Sequence, residues 1–341
     1  MASEAPPFWW EKTDWRARVL TPVSALYGWV ATRRMQSANP PAIDIPVVCV
    51  GNLTVGGGGK TPTSLAIAAA AKKMKLNPGI LSRGYGGSNS GAKIVDAAHD
   101  LAKHVGDEPL LIAHYATVAV SPNRLAGAKL LKETGCDFII MDDGFQSVRL
   151  VSDYNLVVVD ARRGVGNGHV IPGGPLRAPV VPQLRRIDAL LVSGSGDAAS
   201  TIVRQAAKAA KPVYIAKAMP PKKLNLSGKR VLAFAGIADP EKFFESLAGT
   251  GATISLARTY PDHHQFADDE LRELHQTAEA GDLILVTTEK DAMRLARGSE
   301  TARSVLDATL VFKVEMVFDQ VDVPTRIIEQ TLENFRRRML K

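Results

Sequence analysis

Val47-Val48-Cys49-Val50-Gly51-Asn52-Leu53-Thr54-Val55-Gly56-Gly57-Gly58-Gly59-Lys60-Thr61 is the stretch that sets the fold. An apolar, mostly β-branched run leads into four glycines, then Lys60 and Thr61, and a helical pattern follows over 63–75. Strand, glycine-rich loop and helix are the setting of the phosphate-binding loop, written G-x-x-x-x-G-K-[ST]. Thr54 stands where the first glycine is expected, but the spacing of Gly59, Lys60 and Thr61 is kept. Glycines let backbone N–H groups converge on phosphate oxygens, and the helix N-terminus adds a favourable dipole. The stretch therefore reads as a nucleotide cradle built from Thr54, Val55, Gly56, Gly57, Gly58, Gly59, Lys60 and Thr61. Lys60 would contact the β- and γ-phosphates, and the Thr61 hydroxyl would bind Mg²⁺.

Such a loop needs an acidic partner on a neighbouring strand. Asp137-Phe138-Ile139-Ile140-Met141-Asp142-Asp143 ends an apolar run on two carboxylates, and Asp142 is the expected magnesium ligand. Further apolar runs fall at 79–81, 118–120, 156–159, 189–192 and 213–216, with a helical pattern at 122–133. Several do not alternate, as expected of parallel strands buried on both faces. A Pro- and Lys-rich stretch, Met219-Pro220-Pro221-Lys222-Lys223, reads as a linker. Beyond it strands are expected at 231–236, 253–256, 283–287 and 310–314, with helices at 268–280 and 324–339. The expected fold is α/β: a P-loop NTPase-like parallel sheet domain, a second, smaller α/β domain and an N-terminal amphipathic helix. The boundaries read as 1–40 for that helix, 41–219 for the nucleotide-binding domain and 220–341 for the smaller domain with its C-terminal helix.

The bulk numbers agree with a folded enzyme. The chain has 341 residues, enough for two domains at about 100–200 residues each. Hydrophobic residues make up 45% and charged residues 23%, which excludes a disordered chain. A net charge of +7 favours an anionic partner. Cys49 and Cys136 form neither a disulfide framework nor a metal-spaced cluster, and read as buried reduced thiols. Glu4 stands where a secretory signal would carry basic residues, and the apolar stretch 19–32 is short of the roughly 20 residues needed to span a bilayer.

All four tryptophans, Trp9, Trp10, Trp15 and Trp29, precede residue 46. Trp15, Val19, Val23, Leu26, Tyr27 and Val30 fall near helical spacing, flanked by Lys12, Arg16, Arg18, Arg33 and Arg34. An aromatic, basic amphipathic helix can lie in a bilayer interface. The competing reading is a helix docked on its own domain with the tryptophans as core. Pro22 is expected to divide the helix.

Three further segments are richer in glycine and polar residues than turns require: Ser82-Arg83-Gly84-Tyr85-Gly86-Gly87, Gly106-Asp107-Glu108-Pro109 and Pro261-Asp262-His263-His264-Gln265-Phe266. Together with the loop at 51–57, Asp142-Asp143-Gly144-Phe145-Gln146, Gly173-Gly174-Pro175-Leu176-Arg177 and Thr287-Thr288-Glu289-Lys290-Asp291, this ordered set resembles the tetraacyldisaccharide 4′-kinase family, the lipid A 4′-kinases of Gram-negative bacteria. The resemblance runs from the N-terminal helix to about residue 295. It implies ATP and Mg²⁺ as cofactors and a peripheral enzyme on the cytoplasmic face of the inner membrane. The substrate it implies is a tetraacylated glucosamine disaccharide 1-phosphate, phosphorylated on its 4′-hydroxyl. By the same resemblance Asp107 is the catalytic base and His263 its partner. Glu108, Asp142, Asp143 and Gln146 belong to the magnesium and phosphate neighbourhood; Arg83, Tyr85 and Arg177 face phosphate or substrate. Glu289, Lys290 and Asp291 border the nucleotide.

The main alternative is a membrane-associated P-loop ATPase switch acting on a partner protein, which leaves Asp107, Arg177 and the His263 segment without a task. A soluble P-loop kinase of a small polar substrate would make the tryptophan-rich N-terminus pure packing. Dispersed basic residues without a recognised motif argue against nucleic acid. No obligate protein partner is implied.

Overall fold

A computed structural model describes residues 5–11, 14–56, 58–221 and 224–340. Glu4, Lys12, Gly57, Lys222 and Lys223, all named above, lie outside the described residues. The chain divides into two compact units: Ala5–Ala218 with the segment from Met316 onward, and Met219–Glu315.

The larger unit begins with helices α1 (Trp15–Val19) and α2 (Thr21–Ser37), separated at Leu20 with Pro22 in the first turn of α2. The division expected from proline is therefore observed. Strand β1 (Val47–Asn52) is buried along its whole length and runs through the glycine loop into α3 (Lys60–Lys73). There follow β2 (Pro78–Ser82), β3 (Lys93–Ile94), α4 (Ala102–Val105), α5 (Asp107–Ala113), β4 (Thr117–Val120), α6 (Arg124–Glu133), β5 (Phe138–Asp142) and β6 (Tyr154–Asp160). The unit continues with α7 (Val180–Leu184), β7 (Ala189–Ser193), α8 (Ser200–Lys208) and β8 (Val213–Met219). Consecutive residues along β1, β5 and β6 are buried, so both faces of the sheet are covered, which is why these strands read as continuous apolar runs.

The smaller unit carries β9 (Arg230–Ala235), α9 (Pro240–Ala248), β10 (Thr253–Thr259), α10 (Asp268–Ala280), β11 (Ile284–Thr288), α11 (Glu289–Ala296), α12 (Glu300–Asp307) and β12 (Thr309–Phe312). Its four described strands run parallel in the order β10-β9-β11-β12. The chain then forms β13 (Glu315–Phe318) and α13 (Val323–Met339). Among the described residues the larger sheet has nine strands, ordered β13-β8-β7-β6-β1-β5-β2-β4-β3. Its central strands are parallel, and β3 is antiparallel to β4. The α/β, P-loop architecture with an N-terminal helix is thus the one expected.

One boundary differs. The apolar run at 310–314 is not one strand: β12 stops at Phe312, and the next stretch, β13, joins the other sheet beside β8. Residues 316–340, read as part of the smaller domain, pack with the larger unit instead. Helix α13 buries Val323, Ile327 and Ile328 against α3, β1 and β6, and Arg338 reaches the buried Asp153 at 2.7 Å. An apolar stripe shows that a helix must be covered, not by what.

Candidate active site

The C-terminal ends of β1 and β5 lie side by side, with Val50 opposite Asp142, so the glycine loop and the acid pair meet. Gly59 N-caps α3 with φ of 94°, a left-handed conformation costly for other residues, and a Cβ there would lie 2.6 Å from Ser193 Oγ. Lys60 is 8% exposed. Its Nζ donates to the Gly56 carbonyl at 3.0 Å and stands 3.8 Å from Asp143. Asn52 Nδ2 donates to the same carbonyl at 2.7 Å, so the loop is held from both ends.

The two aspartates have opposite environments. Asp142 is buried, accepts a hydrogen bond from Ser64 Oγ at 3.0 Å, and is pushed up to about 6 by burial and by the nearby negative charge of Glu108. Asp143 adopts a φ of 50° and receives Arg177 in a bidentate pair at 2.7 and 3.0 Å. Burial works to raise it, but Lys60 and Arg177 hold its carboxyl below the usual carboxylate range.

A backbone strap places Arg177. Val55 N donates to the Pro175 carbonyl at 2.8 Å, Arg177 N donates to Leu53 at 2.9 Å, and Thr54 bridges Leu176. Gln146 donates to Asn52 O at 2.6 Å and to Gln183 at 2.9 Å, while its own carbonyl accepts from Arg177 at 3.3 Å. The segments containing Thr54, Gln146 and Arg177, far apart in the chain, therefore form one layer.

The segments bearing Arg83 and Asp107 are also brought together. Ser88 and Asn89 N–H groups donate to the carbonyls of Lys103 and His104. Gly106, with φ of 93°, approaches the Tyr85 carbonyl so closely that a Cβ would stand 2.6 Å from it. Gly106 is the N-cap and Asp107 the first residue of α5. Asp107 and Glu108 are half-buried, whereas Arg83 and Tyr85 are exposed.

In the smaller unit, His263 has φ of 63°, and its Nδ1 lies 3.4 Å from Arg294 Nη2. Arg294 pairs with Asp291 at 2.6 Å and donates to Gly236 O at 2.8 Å. Asp291 is fully buried, and it also accepts from Gly236 N and Thr288 Oγ1. The Asp291 carboxylate is thus engaged in holding the loop and Arg294. Glu289 and Lys290, in the first turn of α11, keep partial exposure.

The profile of the tetraacyldisaccharide-1-P 4′-kinase family matches residues 16–333. The tetraacyldisaccharide 4′-kinase of Mesorhizobium japonicum is 55% identical over 100% of both chains. That of Brucella anthropi is 53% identical over 99% of each. The chain belongs to the tetraacyldisaccharide 4′-kinase family. A crystal structure of LpxK from Aquifex aeolicus in complex with ATP superposes with a TM-score of 0.69 at 24% identity, covering 92% of this chain and 99% of that one, and bears on the fold.

Within this 4′-kinase framework, sequence reasoning passed over Ser64, Arg124 and Gln183. Ser64 lies one turn beyond Lys60, a signal that could have been read. Arg124 is 3% exposed and donates to the carbonyls of Leu81, Asp142 and Asp143 at 3.3 to 3.4 Å; burial pulls its pKa down. Nothing local marks it, because its partners are two other strand ends.

The raised Asp142 carries a stability prediction. Its folded pKa lies above the unfolded value, so the stability it confers is complete below about 4 and is lost as pH rises through about 6. The shift from 3.8 to about 6 corresponds to ~3 kcal/mol at pH 8, before any cation binds. Asp142→Asn, which keeps the shape, is expected to melt higher than wild type at pH 8 in chelator and to lose that advantage at pH 4. Thermal melts at both pH values check this; a less stable variant at pH 8 would mean the carboxylate is favourably paired.

Proposed function

We infer that the chain is the 4′-kinase of a tetraacylated glucosamine disaccharide 1-phosphate in lipid A biosynthesis, moving the γ-phosphoryl group of ATP onto the 4′-hydroxyl. Arg177 carries this reading most directly. It is strapped to the phosphate loop by its own backbone and locked on Asp143, and so adds a second fixed cation beside Lys60. Phosphoryl transfer asks mainly for positioning and charge neutralisation, which Lys60, Arg177 and Arg83 would supply. The attacking hydroxyl must lose a proton, and the Asp107 carboxylate would accept it. His263 is assigned to the catalytic set, its ring placed by Arg294. Tyr85 and Gln146 are assigned to the phosphate and acceptor side, and Glu289 and Lys290 to the nucleotide.

Carboxylate and hydroxyl oxygens are the donor type magnesium takes. Asp142 and Glu108 repel each other in a buried setting, which a divalent cation would relieve. Thr61, Glu108, Asp142 and Asp143 would hold it, and when bound it would draw negative charge off the phosphate oxygens. The experiment is direct: incubate γ-labelled ATP with and without acylated disaccharide 1-phosphate in detergent. Label in the lipid supports the kinase; label released only as free phosphate supports the ATPase switch.

Membrane association belongs to the same proposal. No described helix is long and apolar enough to cross a membrane. Yet α1 and α2 turn Trp15, Val19, Val23, Leu26, Trp29 and Val30 outward, each more than half exposed, and bury Ala17, Ser24 and Gly28. Of the tryptophans only Trp9 is core, donating from Nε1 to the Pro172 carbonyl. An outward apolar face beside exposed Arg16, Arg18, Arg33 and Arg34 suits a peripheral position on the anionic, cytoplasmic face of the inner membrane. Replacing Leu26 and Trp29 together by Ser removes burial worth about 1.5–3 kcal/mol each, so vesicle affinity should fall ~100-fold or more. Because both side chains face solvent, the melting temperature should hold. Unchanged co-sedimentation with anionic vesicles would return the helix to a purely structural role.

A further inference from the structure

We propose that Ser24 and Gly28 are positioning residues for Arg177, so that seating α2 on a bilayer sets the guanidinium for phosphoryl transfer. The proposal rests on the membrane reading above. The inner face of α2 lies on the same strap that holds Arg177. Ser24 is 5% exposed, and its Oγ accepts a hydrogen bond from Gly173 N at 2.9 Å. The approach there is close: a Cβ on Gly173 would stand 2.8 Å from Ser24 Oγ and 3.3 Å from the Ala17 carbonyl. One turn on, a Cβ on Gly28 would stand 3.2 Å from Pro179 Cγ. Farther along, Arg186 Nη1 donates to the Met35 carbonyl at 3.0 Å, fixing the end of the helix.

The helix thus grips the strap at residues 173 and 179, and between those grips Pro175 and Arg177 bond the phosphate loop. On either side a single residue, Gly174 or Ala178, stands between the two kinds of contact. Movement of α2 cannot be absorbed before it reaches Arg177. In water α2 carries a wide exposed apolar face and little outer restraint; a bilayer covers that face and pins the helix. Ordering a support in this way favours the catalytic geometry without a new contact at the site, and displacement of a reacting group by about 1 Å costs on the order of 100-fold in rate.

The test uses the full chain, a deacylated, water-soluble disaccharide 1-phosphate as acceptor, and substrate-free phosphatidylethanolamine–phosphatidylglycerol vesicles. Vesicles should raise wild-type kcat on this soluble acceptor about fivefold or more, with the KM for ATP little changed. Ser24→Ala and Gly28→Leu should still bind vesicles, since the outer face is intact, but lose the stimulation. In an Arg177→Ala background, neither vesicles nor Ser24→Ala should change the rate further, as expected of residues acting through one group. If Gly28→Leu fails to fold, Ser24→Ala, which removes a single oxygen, decides alone. Vesicle binding by wild type without stimulation would overturn the coupling and leave the membrane reading standing. Losses from Ser24→Ala and Arg177→Ala that multiply would also overturn it. Failure of wild type to bind vesicles at all would defeat both.

Discussion

Lys60→Ala is expected to lower kcat on the order of 10³-fold or more, with the fold intact by circular dichroism. The ammonium is nearly sealed from solvent, between the Gly56 carbonyl at 3.0 Å and Asp143 at 3.8 Å, where a bound phosphate would meet it undiluted by water. Its loss leaves Asp143 with Arg177 at 2.7 Å, so that carboxylate is not stranded. Asp142, however, loses the cation that partly offsets its burial, and its carboxyl should titrate still higher than about 6. Lys60→Arg should not restore turnover, because a planar fork cannot occupy the place of a compact ammonium in a loop this closely closed. Steady-state rates and ATP affinity for both variants check this. Near-normal turnover with unchanged ATP dependence would remove Lys60 from the reaction.

Asp107→Asn should lose between 10² and 10⁴-fold in kcat, on the order expected when a general base is removed, with the KM for ATP within a few-fold of wild type. The competing account gives Asp107 a helix-capping role. The N-cap of α5 is Gly106, however, and Asp107 is already the first helical residue. There its charge can favour the helix dipole by about 0.3–1 kcal/mol, which the amide would forfeit. A small drop in melting temperature with a large drop in kcat therefore marks a base, and a small drop in both marks a dipole effect alone. An Asp107→Asn enzyme with wild-type kcat would sink the assignment.

Much of this site is readable in chain order because its chemistry is local. The cradle is a strand, glycines and a helix start within fifteen consecutive positions, and the helix at 268–280 is found as α10 with the same bounds. The apolar stripe of the N-terminal helices and their division at Pro22 are equally local. Which way that stripe faces is not. Large apolar residues at helical spacing suit a core and a membrane alike, and the deciding residues are the small ones opposite, Ala17, Ser24 and Gly28, which matter only once the strap is known to lie against them. Asp291 shows the same limit from the other side. Its motif assigns it only to a segment that borders the nucleotide, while folding encloses its carboxylate between Gly236, Thr288 and Arg294.

The amino-acid sequence by itself determined the glycine-rich loop between strand and helix, the acid pair that ends β5 and the succession of apolar strands and helices that makes a parallel sheet. Backbone conformation and hydrogen bonding over a few residues follow from side-chain type and order. Only the tertiary structure decided that Arg177 closes on Asp143, that Arg124 holds the carbonyls of both aspartates, and that the last helix returns to the first unit through Arg338 and Asp153. Those pairs stand 18 to 185 residues apart in the chain. An arginine reaches any carboxylate that the fold brings beside it, so its partner is chosen by where the strands end and not by what precedes it in the chain.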